Sequence, residues 1–151
     1  MSIFKQIETD IVAAMKAGEK DRLMVLRGLK SDLKNVQINA GSRGEEMTDE
    51  QSISVLSSCA KKRRESIEQY RLAGRTDLAD IEATELSIIV AYLPAQMSEA
   101  EVRTTIQAEI TRLNLSGPNA TGALMKEIMP KLKGRADGKL ISQIAKELLA
   151  G

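Results

Sequence analysis

The sequence of 151 residues contains no histidine and no tryptophan, and it has a single cysteine, Cys59. Nucleophile pairs of the Ser-His and Cys-His types need an imidazole as their base, so both are excluded. Histidine and cysteine are also the usual ligands of zinc and of the transition metals. We therefore expect no catalytic residue, no metal site and no cofactor.

Aromatic residues are almost as scarce, because Phe4, Tyr70 and Tyr92 are the only ones in the chain. Proteins that bind single-stranded nucleic acid stack its bases on aromatic side chains. A chain with so few aromatic faces is poorly suited to that task. Any nucleic-acid ligand is therefore expected to be recognised by its shape and its backbone.

The lone cysteine and the N-terminal residues bear on the cellular compartment. Cys59 cannot form an intramolecular disulfide, which is typical of a reducing environment. Leu56, three residues earlier, favours a small apolar residue on the buried face of a helix over a reactive thiol. The first residues carry acidic side chains and no long apolar run, so they resemble neither a signal peptide nor a membrane span. We expect a soluble cytoplasmic protein that does not bind membranes.

Positive and negative charges are nearly balanced, with 22 basic and 21 acidic residues. The chain as a whole has no field that attracts nucleic acid or anionic lipid, so DNA is not an expected partner. The basic run 61–64 points in all directions around a helix axis, and Glu65 and Glu68 are close enough in sequence to pair with it. We interpret this run as a solvated helix surface. RNA binding, if present, must come from another local patch.

Apolar residues recur every three or four positions along most of the chain, and no stretch alternates as a strand would. This pattern predicts an all-α protein with an N-terminal antiparallel helical domain over residues 1–97 and a small C-terminal three-helix domain over 98–151. The second domain carries 8 basic and 6 acidic residues. The excess of positive charge therefore lies in the smaller part.

Local signals mark where several helices begin and end. Capping boxes, in which a hydroxyl and a side chain three residues later cap each other's backbone, are predicted at Thr48 and at Ser98. Gly74 is predicted to end the third helix in the left-handed conformation. The fourth helix is expected to turn Ile81 inward, and Pro94 to end it.

The C-terminal domain contains a short polar junction, Gly134-Arg135-Ala136-Asp137-Gly138, between two apolar-periodic segments. We predict a helix, a sharp turn and a second helix, with Gly134 and Ala136 in the turn and Asp137 capping the last helix. The helix before the turn is expected to be capped by Asn119 and to kink or end at Pro130. Met125 and Met129 are interpreted as core residues rather than as a binding surface.

The order of residues in this domain resembles the GatB/YqeY family, which includes the tail domain of the B subunit of tRNA-dependent amidotransferase and small stand-alone YqeY-like proteins. The matching positions read Gly122-x-Leu124-Met125-x-x-Ile128-Met129-Pro130-Lys131-x-x-Gly134-x-Ala136-Asp137-Gly138-x-x-Ile141. Two further segments are similar to the stand-alone type: Asp21-Arg22-Leu23 and Ala91-Tyr92-Leu93-Pro94-Ala95-Gln96-Met97-Ser98. The resemblance therefore covers essentially the whole chain.

The resemblance implies a role connected with tRNA, because the family's tail domain is associated with holding tRNA. It carries over no active site, since the catalytic body of the amidotransferase subunit has no counterpart in these residues. Basic residues crowd around the polar junction and are the candidate RNA-binding residues: Lys126, Lys131, Lys133, Arg135 and Lys139. Lysine and arginine contacts to phosphates would supply affinity for RNA without base specificity.

Other functions remain open at this point. One is a helical protein–protein interaction module, in which the hairpin of residues 49–93 presents a groove to a partner such as a translation-related protein. Another is an accessory of a glutamine-dependent tRNA amidotransferase. The family resemblance also suggests the activity of a carbon–nitrogen ligase with glutamine as amido donor. We interpret that suggestion as inherited from the family, because no residue of this chain is expected to perform the reaction.

Overall fold

The computed structural model describes residues 1–41 and 44–150. The described residues form α-helices and one short 3-10 turn, with no strand, so the prediction of an all-α protein is confirmed. The helices are α1 (Ile3–Ala17), α2 (Lys20–Asn39), α3 (Asp49–Leu72), α4 (Thr76–Val90), α5 (Glu99–Leu113), α6 (Thr121–Leu132) and α7 (Gly138–Ala150). The 3-10 turn spans Pro118–Ala120 and leads into α6. No helix in the described part of the chain is long and apolar enough to cross a membrane.

The chain divides into two compact units, Met1–Leu93 and Pro94–Gly151. The boundary expected from the sequence lies after Met97, whereas residues 94–97 belong to the C-terminal unit of the structure. Hydrogen bonds within that unit, described below, account for this assignment.

The N-terminal unit consists of two helical hairpins, α1–α2 and α3–α4. Gly18, with a φ of +73°, ends α1 and allows α2 to begin within a few residues. Buried residues of the four helices, together with Met47 from the segment before α3, form one apolar core: Ile7, Val25, Leu29, Leu33, Met47, Leu56, Ala60 and Ile89. Cys59 packs against this core and is half-buried, and its thiol donates to a carboxylate oxygen of Asp32 at 3.5 Å.

The predicted capping signals are present in the structure. Thr48 Oγ1 accepts from the amide of Gln51, and the Gln51 side chain accepts from the amide of Thr48. Ser98 and Glu101 form the same reciprocal pair at the start of α5. Gly74, which follows the C-cap residue Ala73 at the end of α3, has a φ of +72°, as a left-handed helix end requires.

The prediction that Ile81 faces inward is wrong, because its side chain is 56% exposed. Ala79 and Ile89 are the fully buried residues of α4. Ile81 lies two positions from Ala79, which is about 200° around a helix axis, so burying one exposes the other.

The pairing expected along α3 is also corrected for Arg63, which contacts Glu82 at 3.0 Å and Glu85 at 2.5 Å. Both carboxylates belong to α4. Because α4 packs along α3, they lie next to Arg63 although they are about twenty positions away in the sequence. The basic run therefore supplies a contact within the hairpin.

In the C-terminal unit, α5, α6 and α7 surround a second apolar core, which confirms the three-helix arrangement. Its fully buried residues include Ile106, Ile128 and Ile144. Met125 and Met129 are partly buried and pack against this core, as predicted.

The prediction that Asn119 caps α6 is wrong. The residue before α6 is Ala120, which provides no side-chain cap, while Asn119 lies within the 3-10 turn. Of the kink or end predicted at Pro130, the end is not present, because the helix continues to Leu132. The missing amide of Pro130 would have donated to the carbonyl of Lys126, an exposed residue where water can take its place.

Candidate nucleic-acid interface

The turn between α6 and α7 is built from backbone geometry. Gly134 is buried and has a φ of +78°, a conformation that costs little only for a residue without a Cβ. The amide of Arg135 donates to the carbonyl of Leu132 at 2.9 Å and closes the turn. Ala136 is partly buried and packs against the core of the unit.

Asp137 is the residue directly before α7, where a carboxylate suits both the free amides and the positive end of the helix dipole. Its Oδ1 accepts from the amide of Lys139 at 3.4 Å, and its carbonyl accepts from the amide of Ile141 at 3.0 Å. The contact to Lys139 is long for a hydrogen bond. Asp137 therefore lies where a cap is predicted but makes a weak one.

The segment before α5 is fastened to this turn by three hydrogen bonds, which we call the clasp. The amide of Met97 donates to the carbonyl of Arg135 at 2.8 Å. The Gln96 side chain donates to the carbonyl of Gly134 at 2.6 Å. The Arg135 Nε donates to the carbonyl of Ala95 at 3.2 Å. The clasp joins the beginning of the C-terminal unit to its last turn.

Two of the five candidate RNA-binding residues are thereby engaged within the protein. Arg135 belongs to the clasp, and Lys131 contacts a carboxylate oxygen of Glu109 at 2.5 Å. Arg112 contacts the other oxygen of Glu109 at 2.7 Å. The hydrogen bonds from Lys131, and then from Arg112, hold the pKa of the Glu109 carboxyl below its usual range. This carboxylate is therefore a charged partner that competes with a phosphate for Lys131.

The other three candidates have exposed side chains. Lys126 lies on α6, Lys133 directly follows it, and Lys139 lies in the first turn of α7. Within the part of the chain that the structure describes, the side chains of Lys126 and Lys133 form no ion pair. These positions are seven residues apart, or about 20° short of two full turns, so both lie on the side of α6 opposite the buried Ile128.

Lys146, which the sequence analysis missed, is a further exposed cation on α7. It lies seven positions after Lys139 and therefore on the same side of the helix. It was not selected as a candidate because it is distant in sequence from the polar junction. The periodicity of α7 could have revealed it, because Ile141, Ile144 and Ala145 are buried on the opposite side.

The carboxylates of the unit are engaged in contacts of their own. Arg103 pairs with Glu99 at 3.4 Å and with Glu147 at 2.9 Å. Glu127 is 3.6 Å from Arg112, and Glu101 accepts from the amide of Ser98. Negative charge in the unit is thus largely matched locally by its own donors.

Comparison with known proteins identifies relatives of the whole chain. A family model described as "Yqey-like protein" matches residues 4–149, which spans both units. A protein from Pyrenophora tritici-repentis named "Altered inheritance of mitochondria protein 41, mitochondrial" is 25% identical over 97% of this chain and 81% of its own length. The protein of the same name from Lachancea thermotolerans is 32% identical over 75% of this chain and 60% of its own length. The resemblance drawn from the motif is therefore confirmed.

These relatives overturn the prediction of a cytoplasmic protein. The two proteins above, and a third from Clavispora lusitaniae that is 25% identical over 84% of this chain, are all named as mitochondrial. The prediction was wrong because it depended on the lone Cys59 and on the N-terminal residues, and a cysteine without a disulfide does not distinguish one reducing compartment from another.

Proposed function

Because the chain belongs to the YqeY-like protein family, we propose that it is a tRNA-associated helical binding protein that is not catalytic by itself. In this proposal the C-terminal unit contacts the RNA backbone around the α6–α7 turn. Lys126 and Lys133 make the contacts, while Lys131 and Arg135 hold the unit together.

The supporting observation is the division of the cations of this unit into two groups. Arg103, Arg112 and Lys131 are paired with carboxylates, whereas the ammonium groups of Lys126 and Lys133 are exposed and form no ion pair with any described residue. An unpaired ammonium can approach a phosphate and release a counterion without losing an existing partner. Lys131 would first have to leave Glu109, so its net gain from a phosphate would be smaller.

The proposed ligand is a folded RNA, because the chain has few aromatic side chains for stacking. A surface of separate lysines recognises the spacing of phosphates along a double-helical segment. Folded tRNA contains such segments, and the family resemblance points to the same ligand. The proposal assigns no ligase step to the chain.

A salt titration of tRNA binding tests the proposal. We expect the wild-type protein to bind an unmodified tRNA transcript at low salt, with an affinity that falls steeply as salt rises. The variant Lys126→Gln/Lys133→Gln is expected to reduce the slope of log K against log salt by about 1.4–1.8, since each phosphate contact contributes about 0.7–0.9.

The control is Lys5→Gln/Lys30→Gln, which changes the net charge equally. It removes two cations that already pair with Glu46 and Glu8, at 3.3 Å and 2.9 Å. An equal loss of slope in both variants would mean that net charge alone matters. Absence of binding by the wild type at low salt would refute the proposal.

A protein partner is the second candidate, and exposed apolar side chains on the α3–α4 hairpin favour it. Leu72 is 79% exposed and Ile81 is 56% exposed. If this surface binds a protein, Leu72→Ser/Ile81→Ser should abolish capture of that partner and leave tRNA binding unchanged. Loss of tRNA binding in this variant would instead assign the hairpin to the RNA surface.

A further inference from the structure

The outward face of α2 carries a row of three exposed cations, Lys20, Arg27 and Lys34, which we call the α2 basic row. They recur at intervals of seven residues. Seven residues fall about 20° short of two helical turns and advance about 10.5 Å along the axis. The row is therefore nearly straight and about 21 Å long. It lies opposite the buried side of α2, where Val25, Leu29 and Leu33 contact the core.

The α2 basic row differs from the other cations of the same helix. Arg22 is 3.7 Å from Glu19, and Lys30 is 2.9 Å from Glu8. In the described part of the chain, no carboxylate pairs with Lys20, Arg27 or Lys34. Arg22 and Lys30 are thus paired with carboxylates within the protein, while the three cations of the outward face are left for solvent or a ligand.

No acidic residue of α2 interrupts this row. Asp21 and Asp32 are the only carboxylates in the helix, and they lie about 120° and about 140° from the centre of the row around the helix axis. Asp32 accepts from the Cys59 thiol on α3, which shows that this flank faces the neighbouring helix. Neighbouring cations of the row are about 10.5 Å apart along the axis, so they repel one another only weakly in salt and offer an anionic ligand three separate contacts.

The composition of the face distinguishes between anionic partners. Ser31, Met24 and Ile38 lie between or beside the cations, and Met24 is 70% exposed while Ile38 is 46% exposed. Helices that bind membranes separate a cationic face from a broad apolar face that inserts between lipids. The apolar face of α2 is buried in the core, so no such face is available to a bilayer. A row of regularly spaced cations suits the phosphates of a double-helical nucleic acid instead.

We infer that the α2 basic row is a second RNA-backbone surface, located in the N-terminal unit and independent of the lysines of the C-terminal unit. The inference rests on the proposed function for its ligand class, a folded RNA, but not for its contacts. The row reads no base sequence, because ammonium and guanidinium groups that contact phosphates carry no base information. Each unit would therefore carry its own surface for an RNA backbone.

The test compares Arg27→Gln/Lys34→Gln with the C-terminal variant Lys126→Gln/Lys133→Gln and with the control Lys5→Gln/Lys30→Gln. All three remove two positive charges, and the control includes a cation of α2 itself. Binding to an unmodified tRNA transcript is measured across a range of salt. We expect the α2 variant to reduce the salt slope by about 1.4–1.8 and the control to reduce it by much less. The charge-conserving variant Arg27→Lys/Lys34→Arg should retain the wild-type slope.

The outcomes separate this inference from the proposed function. A wild-type slope in the α2 variant, with a reduced slope in the C-terminal variant, would overturn the inference and support the proposed contacts. The reverse result would support the inference and refute the C-terminal contacts. If the wild type binds no tRNA, both are refuted. Binding to phosphatidylserine vesicles that depends on Arg27 and Lys34, without RNA binding, would also overturn the inference.

Discussion

Replacing Arg135 by alanine tests whether its side chain stabilises the C-terminal unit rather than contacting RNA. The Arg135 Nε donates to the carbonyl of Ala95 at 3.2 Å, and the Arg135 carbonyl accepts from the amide of Met97 at 2.8 Å. The substitution removes the first hydrogen bond and keeps the second. A hydrogen bond from a charged donor contributes about 1.5–3 kcal/mol, and the partial exposure of this side chain reduces the expected loss to about 1 kcal/mol.

This loss has two measurable consequences. A destabilisation of about 1 kcal/mol lowers the melting temperature of a domain of this size by about 4 °C or more. It also accelerates hydrogen exchange at the Met97 amide about fivefold, provided that this amide exchanges when the clasp opens. Arg135→Lys keeps the charge, but its ammonium lies beyond the position of Nε. We expect it to be destabilised similarly.

The matched substitution is Lys133→Ala, two positions earlier. It should leave the melting temperature nearly unchanged, because the side chain is exposed and unpaired among the described residues. It should reduce the salt slope of tRNA binding by about 0.7–0.9. The reasoning is refuted if Arg135→Ala leaves the melting temperature unchanged and reduces the slope as much as Lys133→Ala does.

Two further predictions concern the corner and the cysteine. Gly134→Ala should destabilise the C-terminal unit by about 1–2 kcal/mol, because its φ of +78° strains any residue with a Cβ, whereas Asp137→Ala should cost only about 0.5 kcal/mol since its capping contact is 3.4 Å long. Denaturant unfolding measures both, and a larger loss at Asp137 would contradict the assignment. Burial, followed by the nearby Asp32 carboxylate, raises the pKa of Cys59 from 9.0 to about 11. Iodoacetamide should therefore modify Cys59 about 10-fold more slowly at pH 8 than a thiol of ordinary pKa, because the thiolate fraction falls about 100-fold and the greater nucleophilicity of the more basic thiolate offsets about tenfold of that loss. Modification at the ordinary rate would show that the thiol is not protected.

The features that were predicted correctly from the sequence are those whose cause is local. Each capping box joins a residue to one three positions later, as at Ser98 and Glu101, so both partners appear in a short stretch of sequence. The left-handed conformation of Gly74 follows from one residue type at the end of an apolar period. Asn119 shows the limit of such signals, since the 3-10 turn begins at Pro118 and removes Asn119 from the capping position.

The partners of charged side chains could not be predicted in the same way. Arg63 pairs with carboxylates on α4, and Lys131 pairs with Glu109 on α5. The Arg135 side chain reaches Ala95, forty positions earlier in the sequence. These contacts depend on how helices pack, and apolar periodicity determines which face of a helix is buried without specifying which polar flanks meet. The five cations around the junction are therefore equivalent in the sequence, and only the fold shows which of them have partners within the protein.

This separation changes what a cluster of basic residues implies about RNA binding. From the sequence alone, all five cations are assigned to one surface. The affinity that each cation adds is the difference between the free energy of its contact with a phosphate and that of its contacts in the free protein. For Lys131 that environment includes Glu109, and for Arg135 it is a backbone carbonyl. Lys126 and Lys133 have water around them, as do Arg27 and Lys34 in the N-terminal unit. If phosphate contacts are made by unpaired cations rather than by cations that are close in sequence, α2 contributes as much to the salt dependence of tRNA binding as the α6–α7 turn does.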